Sequence, residues 1–186
     1  MTSARVVAWQ RSDEQRGHSV ARVAPAPGGW TCHGTEVLGG PDVVLACTFR
    51  VDLDAGWRTT HVDAAVVDAA GERRLVLTAD DGRWTRNGDP APELDGCTDV
   101  DVAATPLTNT FPIRRLAHLG TGERQTLAVA WIDVPSLAVA RVEQTYTRLA
   151  ERRWRYEDYD HGAFELTVDD DGIVVDYEGF ATRVAP

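Results

Sequence analysis

The sequence predicts a mainly β fold, in which a single-domain, curved antiparallel sheet forms a barrel or half-barrel with few helices. Three observations support this prediction. Apolar and polar residues alternate along most of the chain, Asp-Gly and Asn-Gly pairs separate the alternating stretches, and no long stretch repeats its apolar residues with a helical period. Alternation with a period of two is typical of strands that have one buried face and one solvated face.

The strands are predicted where the alternation is clearest. Residues 43–53 place one set of apolar side chains on the same face, namely Val43, Leu45, Cys47, Phe49, Val51 and Leu53. Similar patterns predict strands within 57–67, 73–84, 126–134, 138–149 and 164–184. Residues 143–154 are the best helical candidate, but Thr145, Tyr146 and Thr147 favour a strand there too.

Turn signals lie where these strands should reverse direction. Residues 79–82 and 169–172 end in Asp-Gly, and Asn87-Gly88 is a third signal. Such pairs favour tight hairpin turns because glycine adopts positive φ angles without strain. The residues around the first two turns also resemble each other. This similarity leaves open a sheet built from two similar β halves, with residues 88–123 as the central connector between them.

The composition limits the classes of partner. A length of 186 residues predicts one domain, residues 1–186. The formal net charge of −10 repels phosphate backbones, so we expect no nucleic-acid partner. The N-terminal residues lack the apolar core of a signal peptide, and no run of about 18 apolar residues occurs, which argues against export and membrane insertion. Three scattered cysteines without a disulfide or metal-binding pattern complete the prediction of a cytoplasmic protein.

The sequence favours a binding protein over an enzyme. It contains no GxSxG, HExxH or P-loop motif, and its five histidines are isolated from one another, so we expect neither a cofactor nor a metal site. Residues 99–101, DVD, resemble the start of a phosphohydrolase motif, but Ala103 stands where that motif has Thr or Val. The alternation of strands and helices that such a fold requires is also missing.

Residues 99–116, DVDVAATPLTNTFPIRRL, interrupt the alternating pattern and provide the candidate site. Irregular segments in compact domains are commonly functional. Pro106 and Pro112 favour extended backbone at the residues before them, which would stiffen the segment. On a strand, adjacent arginines point in opposite directions, so at most one of them should face a ligand. The candidate ligand-binding residues are Asp99, Asp101, Thr105, Thr108, Asn109, Arg114 and Arg115.

The same segment resembles a known family. Residues 96–101, GCTDVD, and 105–116, TPLTNTFPIRRL, are similar to the signature of the putative glycolipid-binding family of bacterial proteins. Shorter matches extend the resemblance over most of the chain, at 82–84, 134–137, 144–147 and 175–177. The resemblance implies a strongly curved antiparallel sheet, similar to the half-barrel of bacterial lipoprotein carriers, and a lipid or glycolipid as the ligand.

Three interpretations of residues 99–116 follow. In the first, a non-enzymatic protein holds a lipid-like or glycolipid-like amphiphile in an apolar cavity of the curved sheet, and the segment surrounds its head group. In the second, an enzyme acts on a sugar or an anionic small molecule through Asp99, Asp101 and an arginine. In the third, the segment is a structural clamp in a scaffold without a ligand. The resemblance favours the first interpretation.

Overall fold

The computed structural model describes residues 3–13, 16–40, 43–158 and 162–185. Within them, fifteen strands form one sheet, and 64% of the chain is strand. The strands are β1 (Arg5–Arg11), β2 (Arg16–Ala26), β3 (Gly29–Gly39), β4 (Val44–Asp54), β5 (Thr59–Asp68), β6 (Gly71–Asp80), β7 (Arg83–Arg86), β8 (Asp89–Pro90), β9 (Asp99–Val102), β10 (Arg124–Ile132), β11 (Val139–Ala150), β12 (Arg153–Asp158), β13 (Gly162–Val168), β14 (Val174–Tyr177) and β15 (Ala181–Ala185). One short helix, α1 (Thr110–Arg115), and two 3-10 turns, Pro92–Leu94 and Leu107–Asn109, complete the regular structure of these ranges. None of these helical segments has the length or the hydropathy needed to cross a membrane.

Two runs of neighbouring strands meet in the middle of the sheet. From one end, the order is β8 to β1 in reverse chain order and then β15 to β9, so β1 pairs with β15. Neighbouring strands are antiparallel except β9 and β10, which are parallel. The predicted mainly β fold with a curved antiparallel sheet is therefore confirmed, and the sheet is not closed into a full barrel.

The predicted tight turns reverse the chain between short strands. Asp81 and Gly82 join β6 to β7 with φ angles of 47° and 76°, and Asn87 and Gly88 join β7 to β8 with φ angles of 52° and 91°. Two successive positive φ angles are typical of the hairpin turn whose twist matches that of the flanking strands. Between β13 and β14, Asp169 Oδ1 accepts hydrogen bonds from the backbone nitrogens two and four residues later.

Residues 88–123 link strands that lie near opposite ends of the sheet. The sheet curves until β9 reaches the beginning of β5, where the Thr59 amide donates to the Thr98 carbonyl at 3.1 Å. The Val100 amide donates in turn to Thr59 Oγ1 at 3.0 Å. These bonds hold β9 against a strand eleven places away in the sheet order, which positions the predicted site segment inside the curve.

Apolar side chains pack in two clusters. In the larger cluster, the inward faces of strands β1 through β7 pack against β9 and against the residues that follow β9. It includes Trp9 and Phe111, neither of which is exposed. In the smaller cluster, strands β10 through β14 pack against the end of α1, and this cluster includes Trp154 and Leu116. Side chains therefore fill much of the concave interior, and a ligand site is expected at its margin.

The acidic side chain of Glu36 is buried beside the larger cluster. Glu36 on β3 pairs with Ser19 on β2 and Cys47 on β4, and none of its surface is exposed. Within the described residues, neither carboxyl oxygen has a hydrogen-bond partner with regular geometry. Burial raises the pKa of Glu36 to about 7, and the nearby hydroxyls of Thr105 and Ser19 and the charge of Arg11 offset only part of this shift.

The expectations of extended backbone at Phe111 and of a strand at the two arginines were wrong. Leu107–Asn109 form a 3-10 turn that continues into α1, so Phe111 is helical although a proline follows it. Pro112 occupies the first turn of α1, where its missing N–H costs no helical hydrogen bond. Burial of Phe111 and Ile113 outweighs the local preference of a residue before proline for extended backbone.

Candidate functional site

A cleft of about 220 Å³ lies between β9, with the residues that follow it, and the strands β12 to β14. Its aromatic lining residues are Trp131, Tyr156, Phe164, Tyr177 and Phe180. Its acidic lining residues are Asp101, Asp158 and Glu178, and its remaining lining residues are Val102, Ala103, Thr105, Asn109 and Gly179. The lining thus combines apolar rings with a small number of fixed polar groups, which is the usual composition of a small-molecule site.

The 3-10 turn at Leu107–Asn109 fixes the polar side of the cleft. It folds back beside β9, so Thr108 Oγ1 donates to Asp101 Oδ1 at 2.6 Å. Gln144, which is buried on β11, donates from Nε2 to Asp101 Oδ2 at 2.7 Å. Hydrogen bonds to both oxygens hold the Asp101 carboxylate in one orientation.

Asn109 belongs to the same polar group. Its Nδ2 donates to the Tyr146 hydroxyl at 2.9 Å, and both side chains are buried. Thr105 also lines the cleft and accepts a hydrogen bond from the Leu107 amide at 3.2 Å. The structure therefore brings together Asp101, Thr105, Thr108 and Asn109 around one end of the cleft.

Aromatic rings form the opposite wall. The centroids of Tyr156, Phe164 and Tyr177 are 5.6 to 6.4 Å apart, and Phe180 lies 4.9 Å from Tyr177. Tyr156 and Phe164 are direct partners across β12 and β13. Tyr177 on β14 pairs with Leu166, two residues further along β13, and its ring contacts both of the other rings. We did not predict this wall, because the sequence shows the aromatic residues but not the register that joins them.

The tyrosines in this wall remain protonated. Burial is the main cause that raises the pKa of Tyr156 and of Tyr177, and the negative charge of Asp101 raises both further. Tyr146, beneath the cleft, has a raised pKa for the same two reasons. The Tyr156 hydroxyl donates a short hydrogen bond to Asp158 Oδ2. The rings therefore contribute neutral aromatic faces and hydroxyl donors.

Three acidic side chains, Asp101, Asp158 and Glu178, line the cleft. Glu178, in the turn between β14 and β15, accepts a hydrogen bond from the Glu165 amide at 2.9 Å. Among the described lining residues, none is arginine, lysine or histidine. Arg11 packs on Phe180, with its guanidinium carbon 4.3 Å from the ring centroid, and it forms an ion pair with Asp13.

The remaining predicted site residues lie outside the cleft. Arg115 Nη1 and Nη2 donate to the two carboxylate oxygens of Asp99 at 2.6 and 2.5 Å, and Asp99 is only 1% exposed. Arg114 donates to the Asp171 carbonyl at 2.9 Å and packs on the Trp57 ring. Both guanidinium groups bind other parts of the chain. We name the pair Asp99–Arg115 the buried clamp, because it joins β9 to α1.

Comparisons with known proteins agree with this fold. The profile of the putative glycolipid-binding family matches residues 6–183. A crystal structure of a DUF1089 family protein from Pseudomonas aeruginosa is 31% identical, with a TM-score of 0.73 over 99% of this chain and 94% of that chain. A β-barrel-like protein of the domain of unknown function DUF1849 from Brucella abortus shares the fold at 10% identity, with a TM-score of 0.52 over 97% of this chain and 93% of that chain. No curated protein sequence matches. The family match confirms the resemblance seen in residues 96–116, and the chain belongs to the putative glycolipid-binding family.

Proposed function

We propose that the protein binds a lipid-like or glycolipid-like amphiphile without converting it, and that the cleft beside Asp101 holds the polar end. The observation that carries this proposal is the aromatic wall opposite fixed polar groups. Aromatic faces contact the apolar side of a ring or chain, and carboxylate, amide and hydroxyl groups orient its polar atoms. Family membership supports the proposal independently.

The size of the cleft limits how much of a ligand it holds. Its volume of about 220 Å³ is below the range of roughly 300–1,000 Å³ that is usual for drug-sized ligands. We therefore assign to it one head group or the first part of an acyl chain. The rest of an amphiphile would extend from the cleft over the neighbouring surface. The proposed binding residues are Asp101, Thr105 and Asn109 with the aromatic wall, and Thr108 positions Asp101.

Catalysis through Asp99 is not part of the proposal. Both oxygens of its carboxylate accept hydrogen bonds from Arg115, and its side chain is buried outside the cleft. The buried clamp instead supports a structural role for that part of residues 99–116. The segment thus has two roles in our proposal, with its 3-10 turn at the cleft and its helix holding β9.

Removal of one ring from the wall is expected to weaken binding. Phe164→Ala should lower the affinity for octyl β-glucoside by about tenfold or more, since truncated aromatic anchors in binding sites typically cost over 1 kcal/mol. Phe164 is suitable because it is only half-buried, so its loss leaves most of the core intact. Isothermal titration calorimetry measures the affinity, and native mass spectrometry of the purified protein tests for an amphiphile that co-purifies.

Trp30→Ala is the matched control for this experiment. Trp30 is also a half-buried aromatic residue, but it stacks on Trp57 and does not line the cleft. We expect this variant to bind octyl β-glucoside as the wild type does. Equal weakening in both variants, or no binding of any alkyl glycoside by the wild type, would contradict the proposed function.

A further inference from the structure

A chain of buried hydrogen bonds connects two polar residues that line the cleft, Asp101 and Asn109. Gln144 and Tyr146 lie beneath the cleft on β11, where both side chains project from the same face of the strand and are buried. Gln144 Nε2 donates to Asp101 Oδ2 at 2.7 Å, and the Tyr146 hydroxyl donates to Gln144 Oε1 at 3.4 Å. Asn109 Nδ2 donates to the Tyr146 hydroxyl at 2.9 Å, which completes the chain from one cleft residue to the other.

The direction of every hydrogen bond in this chain follows from its first acceptor. A carboxylate only accepts hydrogen bonds, so Gln144 must turn its nitrogen toward Asp101 and its oxygen toward Tyr146. Burial raises the pKa of Tyr146 well above its ordinary value, so the hydroxyl keeps the proton that it donates to Gln144. The lone pairs of that hydroxyl then face Asn109, which must turn its nitrogen toward Tyr146. The opposite orientation of the Asn109 amide would bring two oxygen atoms together without a proton between them.

We infer that Gln144 and Tyr146 are positioning residues of the cleft, and that they hold the Asn109 side chain with its carbonyl oxygen available to a ligand. This inference rests on the proposed function, because it names an atom that recognises the polar end of the amphiphile. Among the described residues, no group donates a hydrogen bond to Asn109 Oδ1. A ligand at this position must therefore donate a hydrogen bond, as a hydroxyl or amide group does and as an ether oxygen does not.

Two uncharged probes with the same octyl chain test this preference in the wild-type protein. Octyl β-glucoside carries several hydroxyl groups, whereas the octyl methyl diether of tetraethylene glycol carries only ether oxygens. We expect calorimetry, with both probes below their micelle concentrations, to show about tenfold tighter binding of the glucoside. The diether leaves a buried acceptor of the cleft without a donor, and such a loss costs more than the hydrogen bond itself contributes.

A double-mutant cycle tests whether Tyr146 acts through Asn109. Tyr146→Phe removes the hydroxyl that orients the amide, and Asn109→Leu removes the carbonyl oxygen itself. Each variant should reduce the ratio of glucoside to diether affinity by about threefold to tenfold. The double variant should reduce the ratio no further than Asn109→Leu does, because the effect of Tyr146 requires Asn109. Gln144→Met should also reduce the ratio, since it removes the acceptor of the Tyr146 proton.

Val51→Ala separates positioning from a general loss of stability. Val51 is buried on β4 and does not line the cleft, so its truncation leaves a cavity that destabilises the fold without altering the hydrogen-bond chain. The ratio of the two affinities should remain at the wild-type value in this variant. Urea unfolding gives the stability of each variant, so that the affinities are compared where all of the proteins are folded.

The outcomes separate this inference from the proposed function. Equal affinity of the wild type for the two probes would overturn the positioning role, whether or not the variants fold, and would leave amphiphile binding in place. An unchanged ratio in Tyr146→Phe, additive effects in the cycle, or an equal fall of the ratio in Val51→Ala would also overturn it. If neither probe binds the wild-type protein, the inference and the proposed function both fail.

Discussion

Replacing Arg115 with alanine is expected to lower the free energy of unfolding by about 3–5 kcal/mol. The substitution removes both hydrogen bonds from the guanidinium group to Asp99 and leaves Thr98 Oγ1, at 2.7 Å, as a neutral donor to this carboxylate. Asp99 is 1% exposed, so after the loss of Arg115 its carboxylate stays shielded from water without the charged partner that offset the cost of desolvation. Urea unfolding followed by tryptophan fluorescence measures the change.

Arg153→Ala provides the matched control for the buried clamp. Arg153 forms an ion pair with Glu165 in which the two side chains are 56% and 50% exposed. An exposed pair contributes about 0–1 kcal/mol, so this variant should unfold almost as the wild type does. The double variant Asp99→Ala and Arg115→Ala should be less destabilised than the sum of the two single variants, because it contains no buried charge without its partner. Equal stability of Arg115→Ala and Arg153→Ala would show that the pair is not a clamp.

Replacing Glu36 with glutamine is expected to stabilise the protein at alkaline pH. The folded-state pKa of Glu36 is about 7, against an ordinary value of 4.5, so the folded state retains a proton that the unfolded state has lost between these pH values. Stability from this group is therefore fully present below about pH 4.5 and is lost as the pH rises to about 7. The shift corresponds to a loss of about 3 kcal/mol, which the glutamine variant should not show.

Urea unfolding at pH 5 and pH 8 tests this expectation. The two proteins should have similar stability at pH 5, and Glu36→Gln should be more stable by about 3 kcal/mol at pH 8. Glu143→Gln removes an exposed carboxylate on β11. In this variant the free energy of unfolding should change between pH 5 and pH 8 by the same amount as in the wild type. If Glu36→Gln is less stable than the wild type at pH 8, the ionised carboxylate makes a favourable contact and our assignment of a destabilising buried carboxylate fails.

The local features of the fold are those that the sequence predicts best. The turns at Asp81-Gly82 and Asn87-Gly88 depend on a few adjacent residues, and the alternation in residues 43–53 depends on a period of two. The pairing of β1 with β15 depends on contacts between residues more than 160 positions apart, for which the sequence provides no local signal. The strand order could therefore be found only from the structure.

The candidate site was predictable in part for the same reason. Residues 99–116 interrupt the strand pattern, and Asp101, Thr105 and Asn109 of this segment line the cleft, while their role in binding stays a prediction. The roles of the two arginines could not be predicted, because a helix replaced the expected strand and turned both side chains toward partners from distant parts of the chain. The aromatic wall was missed because three strands contribute to it and their register is not a local property.

The central position of β1 in the sheet has a consequence for synthesis of the protein. The strands β1 to β8 can pair with one another in chain order before the later strands emerge from the ribosome, but β1 then has one edge with exposed amide and carbonyl groups. β15 covers this edge, and it is the last strand of the sheet in chain order. The edge of β1, residues 5–11, therefore stays open to pairing with other chains until β15 has been synthesised and has paired with it.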